Sequence, residues 1–386
     1  MEFFGYERPD GKVGVRNKVL ILPCSMCASD VGRIVAERVE GAVSFHNQVG
    51  CAQVPSDAQY AMDMMTGYAA NPNIYGIVVV GLGCETCQAD NVAEIIAKKT
   101  NKPMEVMEIQ KIGGTLKTIE RAVRTAKLMS QDASMLQKEK FPITELIIGT
   151  ECGGSDPTSG LVANPVIGAM SDLLVKYGAT SVLSETTEFI GAEQILAKRG
   201  VTPEVRQRIL DIIARYERHF KINGENVRDG NPTPGNKEGG LTTLEEKSLG
   251  CIHKGGHSPI EEVYDYGHII DKKGLVIMDT PGNDLSSLAG MAAGGCQISV
   301  FSTGRGTPTG NPIMPVIKLT GNRDTFKMMS DDIDMDTSSA IFEHKPITEL
   351  GEELLNMVME TANGRLTKAE ILGYNEMAVM RACNFV

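Results

Sequence analysis

Nine cysteines and a run of lysines carry most of the chemistry this chain could perform. Four aliphatic runs each lead to a thiol: Val19–Pro23 to Cys24 and Cys27, Ala42–Phe45 to His46 and Cys51, Ile77–Gly83 to Cys84 and Cys87, and Leu146–Glu151 to Cys152. Open parallel sheets bind ligands beyond the carboxyl ends of their strands, so thiols delivered there can converge. Cys51, Cys84 and Cys152 are the expected metal ligands. Three thiolates suit a [4Fe–4S] cluster with one open iron, or a mononuclear Fe2+. Open iron is a Lewis acid for a hydroxyl or carboxylate. The plainer alternative is that these cysteines are small buried hydrophobes. Cys24-Ser25-Met26-Cys27 and Cys84-Glu85-Thr86-Cys87 have the C-x-x-C spacing of zinc or redox sites. Both, however, close strands of a large sheet rather than the knuckles of a small domain.

Polar residues gather at the same strand ends. His46 is a candidate ligand or general base, or a histidine hydrogen-bonded within the sheet. Glu151-Cys152-Gly153-Gly154-Ser155-Asp156-Pro157 joins a strand to a helix, and N–H groups at such a turn around Ser155 suit an anion. Ser184-Glu185-Thr186-Thr187-Glu188 closes the next strand and offers Glu185 as an acid–base group. Asp279 closes another. Ser302-Thr303-Gly304-Arg305 closes one more, where Thr303 is a candidate substrate contact and Arg305 could grip a carboxylate bidentately. Residues 222–258 are rich in Gly, Asn, Pro and Lys and show little periodicity. A loop that long is expected to be functional. It carries Asn236, Lys237, Lys247, Ser248, His253, Lys254 and His257.

The elements that must position these residues read as βαβ units. The expectation is an α/β fold of two Rossmann-like parallel-sheet domains, with the site between them at the strand carboxyl ends. The domains are expected at 1–140 and 141–386, joined by a linker at Lys138–Pro142 where Pro142 blocks helix continuation. With 386 residues the chain exceeds one ordinary core. A net charge of −11 disfavours a nucleic-acid partner. No apolar run is long enough for a membrane span, and the N-terminus lacks a signal-peptide pattern, so a cytoplasmic protein is expected. P-loop, G-x-G-x-x-G and G-x-S-x-G motifs are missing, which disfavours nucleotide hydrolysis, dinucleotide-dependent redox chemistry and a serine nucleophile.

Several segments together resemble the altronate/galactarate dehydratase family, which includes the large subunit of sulfolactate sulfo-lyase. They are Arg8-Pro9-Asp10-Gly11-Lys12-Val13-Gly14-Val15-Arg16-Asn17, His46-Asn47-Gln48-Val49-Gly50-Cys51, Gly81-Leu82-Gly83-Cys84-Glu85, Cys152-Gly153-Gly154-Ser155-Asp156, Asn231-Pro232-Thr233-Pro234-Gly235-Asn236-Lys237, Glu246-Lys247-Ser248-Leu249-Gly250 and Thr303-Gly304-Arg305-Gly306. The resemblance implies an iron-dependent lyase. A base removes the proton α to the carboxylate of a small 2-hydroxy acid, the β substituent leaves, and a 2-keto acid results. An altronate-type sugar-acid dehydratase comes first and a sulfolactate sulfo-lyase large subunit second. Lys237, Lys247, Lys254 or Arg305 would neutralise the carboxylate, and a lysine of the 237–254 stretch or His46 would be the base. The resemblance also implies a separate small SAF-type subunit and a homo-oligomer of this chain. Cys27 and Cys87 add thiols beside the expected set, which leaves mononuclear iron and cluster both open. A reading of another class is a non-catalytic zinc-binding scaffold built on the two C-x-x-C pairs.

Overall fold

A computed structural model describes residues 1–383. In chain order its strands are β1 (Glu2–Glu7), β2 (Val13–Gly14), β3 (Lys18–Pro23), β4 (Ala42–Val43), β5 (Ile74–Gly81), β6 (Met104–Glu108), β7 (Glu139–Pro142), β8 (Ile147–Cys152), β9 (Thr180–Leu183), β10 (Ile260–Tyr264), β11 (Gly274–Met278), β12 (Ile298–Ser302), β13 (Val316–Thr320) and β14 (Met335–Asp336). Two parallel sheets dominate, one ordered β4-β3-β5-β6 and the other β10-β11-β9-β8-β12-β13-β14. This is the α/β architecture of two Rossmann-like sheets expected from the βαβ pattern.

Both sheets are covered on both faces, which is why their central strands are continuously apolar. Leu20, Ile21 and Leu22 of β3 and Val78, Val79 and Val80 of β5 have no exposed surface. In the larger sheet the chain leaves β8 toward β9 on one side and returns to β12 on the other. In the smaller sheet it leaves β3 toward β4 and returns to β5. Each reversal opens a crevice at the strand carboxyl ends. Register then decides what lines the larger crevice: Cys152 pairs with Ser302 across β8 and β12, and Thr150 with Leu183 across β8 and β9. Residues 151–152, 184–185 and 303 therefore leave the sheet at one edge.

The sheets share a core. Helix Pro55–Ala70 lies against helix Asp284–Ala293, and Gly67 permits the approach because a Cβ there would stand 2.5 Å from Ala293 O. Asn71 Nδ2 donates to Ala292 O and Cys296 O at 2.7 and 2.9 Å, and Asn73 Nδ2 to Gln297 O and Ile313 O at 2.9 and 3.0 Å.

Two expectations about segments need correction. Lys138–Pro142 is not a bare linker: Glu139–Pro142 is β7, paired antiparallel with β1, and β1 also pairs with β2. Pro142 stands at the end of this edge strand, where its missing N–H costs no ladder bond. Residues 222–258 are not one irregular loop either. They contain the short helices Val227–Gly230, Pro234–Glu238 and Leu244–Cys251. Side-chain caps start each one, from Asn226, Thr233 and Thr243.

Candidate functional site

The carboxyl edge of the seven-stranded sheet gathers an unusual density of buried charge. Glu151 and Cys152 end β8, Glu185 and Glu188 follow β9, and Asp284 opens the helix after β11. Helix Leu244–Cys251 and the turn Ile252–Gly255 lay Lys247, Cys251 and Lys254 across them. Glu151, Glu185 and Lys254 have no exposed surface, and Glu188 and Cys152 have almost none.

Lys254 lies at the centre. Its Nζ donates to Cys152 Sγ at 2.9 Å, to Cys251 Sγ at 3.2 Å and to Glu185 Oε2. The two sulfurs are 3.8 Å apart. Glu185 adopts a left-handed backbone with φ +67°, uncommon for a side chain of this size. Two bonds hold it there: its N–H donates to Thr280 Oγ1 at 2.7 Å, and its Oε2 accepts from Cys152 N at 2.8 Å. Lys247 Nζ reaches Glu188 Oε1 at 2.6 Å and Asn231 Oδ1 at 3.2 Å. Glu151 Oε2 accepts from Ser184 Oγ at 2.8 Å and Ser287 Oγ at 2.6 Å.

This crowding perturbs the ionisation of Lys247, Lys254, Glu151, Glu188, Asp284 and Cys152. Burial alone would pull Lys247 down, but Glu188 and Cys152 outweigh it and hold the ammonium above the ordinary lysine range. Lys254 is raised in the same way by Cys152, Cys251 and Glu185 against its own burial. Burial pushes Glu151 and Glu188 up, and repulsion from Glu185 adds to both. Asp284 is pushed up to about 7 by burial, then by Glu185 and Glu188. The hydrogen bond with Cys251 and burial raise Cys152.

Two cavities meet at Lys247. One, of about 820 Å³, is lined by Lys247, Asn231, Thr187, Asn283, Arg215 and Tyr216 among others. The second, of about 280 Å³, lies against Cys152, Ser155, Lys247 and His253. Lys247 thus lines two spaces, each large enough to admit part of a small molecule.

Of the residues expected from sequence, the structure brings together Cys152, Glu185, Lys247 and Lys254. Ser155 lines the smaller cavity, and its buried Oγ has no hydrogen-bond partner. Asn236 Nδ2 donates to Ser155 O at 3.0 Å and so shapes that wall. Thr303 is buried and its Oγ1 accepts from Gly306 N at 2.9 Å, which fixes the strand-end turn. Arg305 is exposed, donating to Gly235 O and pairing with Glu238, both at 3.1 Å. Lys237 is exposed and borders neither cavity. His46 is exposed on a different cavity of about 360 Å³ with Lys18, Arg33 and Glu370.

Cys51 and Cys84 lie at the carboxyl edge of the four-stranded sheet. Among the described residues they form no compact donor group with Cys152. Two other donor sets do lie within 4.8 Å: Cys152 with Glu185 and Cys251, and Glu151 with Glu185 and Asp284. Sequence reasoning passed over Cys251, Glu151 and Asp284 as site residues, and Glu188 entered only as the second carboxylate of the Ser184–Glu188 strand end. Cys251 had a legible pattern, since Lys247, Cys251 and Lys254 are spaced i, i+4, i+7 and share one helical face. Asp284 had none beyond its place after a strand end.

Comparison with known proteins gives two family matches. Residues 5–134 match the second domain of D-galactarate dehydratase/altronate hydrolase, and residues 143–384 match the C-terminal domain of D-galactarate/altronate dehydratase. Altronate dehydratase of Bacillus subtilis is 33% identical over 98% of this chain and 78% of its own length. The (2R)-sulfolactate sulfo-lyase subunit beta of Chromohalobacter salexigens is 37% identical over 98% and 97%. Galactarate dehydratase (L-threo-forming) of Escherichia coli is 33% identical over 94% and 73%.

Proposed function

Because the chain belongs to the D-galactarate/altronate dehydratase family, we propose that it is a lyase acting on a small 2-hydroxy carboxylic acid. The α C–H bond breaks and its proton passes to a protein base. The β C–O bond breaks, and the hydroxide leaves as water after taking up a proton. The enol then becomes a 2-keto acid. The observation that carries this reading is Lys247, a lining residue of both cavities whose ammonium is backed by Glu188. An α proton is weakly acidic until the neighbouring carboxylate is neutralised, and a fixed cation in a dry site does this best.

Lys247 is held protonated, which suits it to binding the carboxylate and the enolate rather than to removing a proton, while Lys254, enclosed by Cys152, Cys251 and Glu185, holds the wall of the site together. Glu188, in contact with Lys247 and raised by burial, is the proton carrier in this scheme. Iron would supply the Lewis acidity that a hydroxide leaving group needs. The donors that would hold it are Glu151, Glu185 and Asp284, or Cys152, Glu185 and Cys251. A small SAF-type subunit and self-association of the chain complete the proposed assembly, in a cytoplasmic enzyme. Among the described residues no helix is long and apolar enough to cross a membrane.

The 820 Å³ cavity, with Asn231, Thr233, Asn226 and Asn283 on its wall, favours a six-carbon sugar acid with several hydroxyls. A second reading, release of sulfite from sulfolactate, is favoured by the 37% identity with a sulfo-lyase subunit. The test is to supply altronate, galactarate and (2R)-sulfolactate to the iron-loaded protein, with and without a small SAF-type chain. Keto acid and sulfite are then measured. Keto acid without sulfite supports the dehydratase, and both together support the sulfo-lyase. Neither product from any of the three would remove the lyase reading.

A further inference from the structure

The two donor sets differ in one respect that decides which can take a metal ion. Cys152, Cys251 and Glu185 already surround a cation, since the Lys254 ammonium is hydrogen-bonded to all three. Glu151, Glu185 and Asp284 also lie within 4.8 Å of one another, yet among the described residues no ammonium is hydrogen-bonded to Glu151 or Asp284. Glu151 and Glu185 each keep one buried carboxylate oxygen, Oε1, with no hydrogen-bond partner. Buried oxygens are left that way rarely, and at a cost. Charge points the same way. Four carboxyl groups (Glu151, Glu185, Glu188, Asp284) face two ammonium groups (Lys247, Lys254), an excess that a bound divalent cation would balance. Gly153 completes the cradle, because a Cβ at that position would collide with the Asp284 carboxylate.

We infer that Glu151, Glu185 and Asp284 bind one divalent cation of the hard, oxygen-preferring class, such as Fe2+ or Mn2+, and that the cysteines are not its principal ligands. The inference rests on the lyase reading only for the use of the ion, not for its binding. Three carboxylates suit Fe2+ or Mn2+ better than an iron–sulfur cluster, which takes thiolates. Lys254 stays in place and keeps Cys152 and Cys251 occupied.

The test is anaerobic titration of the metal-free protein with Mn2+, followed by electron paramagnetic resonance and by atomic analysis of the washed protein. One tightly held Mn2+ per chain is expected. Asp284→Asn and Glu151→Gln should each weaken binding at least tenfold. Gly153→Ala, which keeps every ligand but displaces Asp284, should weaken it too, and so controls for variants that fail to fold. Cys51→Ser, Cys84→Ser and Cys251→Ser should retain the ion. Loss of the ion from the cysteine variants, with unchanged affinity in Asp284→Asn and Glu151→Gln, would overturn the assignment. So would a wild-type protein that binds no Mn2+ and balances its charge with carboxyl protons visible by infrared spectroscopy. Mn2+ bound at the carboxylates without turnover of any hydroxy acid would leave the site standing and sink the lyase reading. Turnover by metal-free protein would keep the lyase reading and overturn the part given to the ion in it.

Discussion

The two parallel sheets present the same motif at their carboxyl edges and put it to different ends. Each reverses direction at a central strand, and each carries cysteines there. At the four-stranded sheet Cys24 and Cys87 are buried, Cys27 and Cys84 are exposed, and Cys51 is in between. Among the described residues their thiols make only long contacts, Cys87 Sγ to Ala58 O at 3.8 Å and Gln110 Nε2 to Cys84 Sγ at 3.9 Å, with the single buried carboxylate of Glu85 acting on Cys24 and Cys87. At the seven-stranded sheet the thiols of Cys152 and Cys251 are wrapped around an ammonium and backed by carboxylates. A strand ending in cysteine is therefore a statement about position. Chemistry needs the buried charges around it, and these come from other elements.

The strongest way to break the contrast is to remove the central cation. Lys254→Met would leave Glu185 buried with one oxygen unpartnered and the other short of its ammonium. Taking one partner from a buried pair costs about 3–5 kcal/mol. Urea denaturation should show that loss, whereas Lys237→Met, at an exposed position, should stay within about 0.5 kcal/mol. Equal effects from the two would mean that the site is not held together by Lys254.

Lys247 tests function rather than folding. Lys247→Ala should lower kcat by about 10²–10³, the range for removing one fixed electrostatic donor. Arg305→Ala, on a side chain already engaged with Gly235 O and Glu238, should act mainly on KM. A kcat loss for Arg305→Ala as large as for Lys247→Ala would mean that substrate reaches the 304–306 turn.

A second buried lysine sharpens the point by its opposite sign. Lys318 has no exposed surface and donates to two carbonyls, Pro308 O at 2.9 Å and Thr309 O at 3.1 Å. Its burial outweighs the opposing pull of Asp332 and Asp334 and lowers it to about 8. The unfolded value is higher, so below about pH 8 the lysine is charged in both states and folding bears the full penalty. The penalty is relieved as pH rises from about 8 to about 10.5. Stability of the wild type relative to Lys318→Met should therefore rise across that interval, by an amount on the order of 3 kcal/mol at most. A flat difference between the two proteins from pH 7 to 10.5 would show that Lys318 is not perturbed.

Much of this was legible in the sequence, and the misses share a cause. The βαβ alternation placed β3, β5, β8, β12 and β13 because strands covered on both faces are continuous apolar runs. It missed β10 and β7, whose Ile-Glu-Glu-Val-Tyr and Glu-Lys-Phe-Pro carry charges suited to sheet edges. Within the site, Cys152, Glu185, Lys247 and Lys254 could be picked out because a reactive residue at a strand end, or in a lysine-rich stretch, is visible one residue at a time. Glu151 and Asp284 could not. Their importance lies in being within 4.8 Å of each other and of Glu185, across a separation of more than a hundred residues in the chain. His46 and Cys84 carried the same one-residue mark, yet both sit on the exposed surface of the other sheet.

The mildest test asks whether the two cysteine sets differ in reactivity as they do in setting. Cys27, Cys84 and Cys383 are exposed, so an uncharged alkylating reagent at neutral pH should modify them first, with Cys51 next. Cys152 should resist, because it is buried against Cys251 and raised by that contact, and the thiolate is the reactive form. Mass mapping of the folded protein at partial modification reads this directly, and modification of Cys84 should cost less than about 0.5 kcal/mol of stability. Rapid alkylation of Cys152 in the folded state would mean that Lys254 and Cys251 do not enclose it, and the barrier drawn here between the two sheet edges would fall with that result.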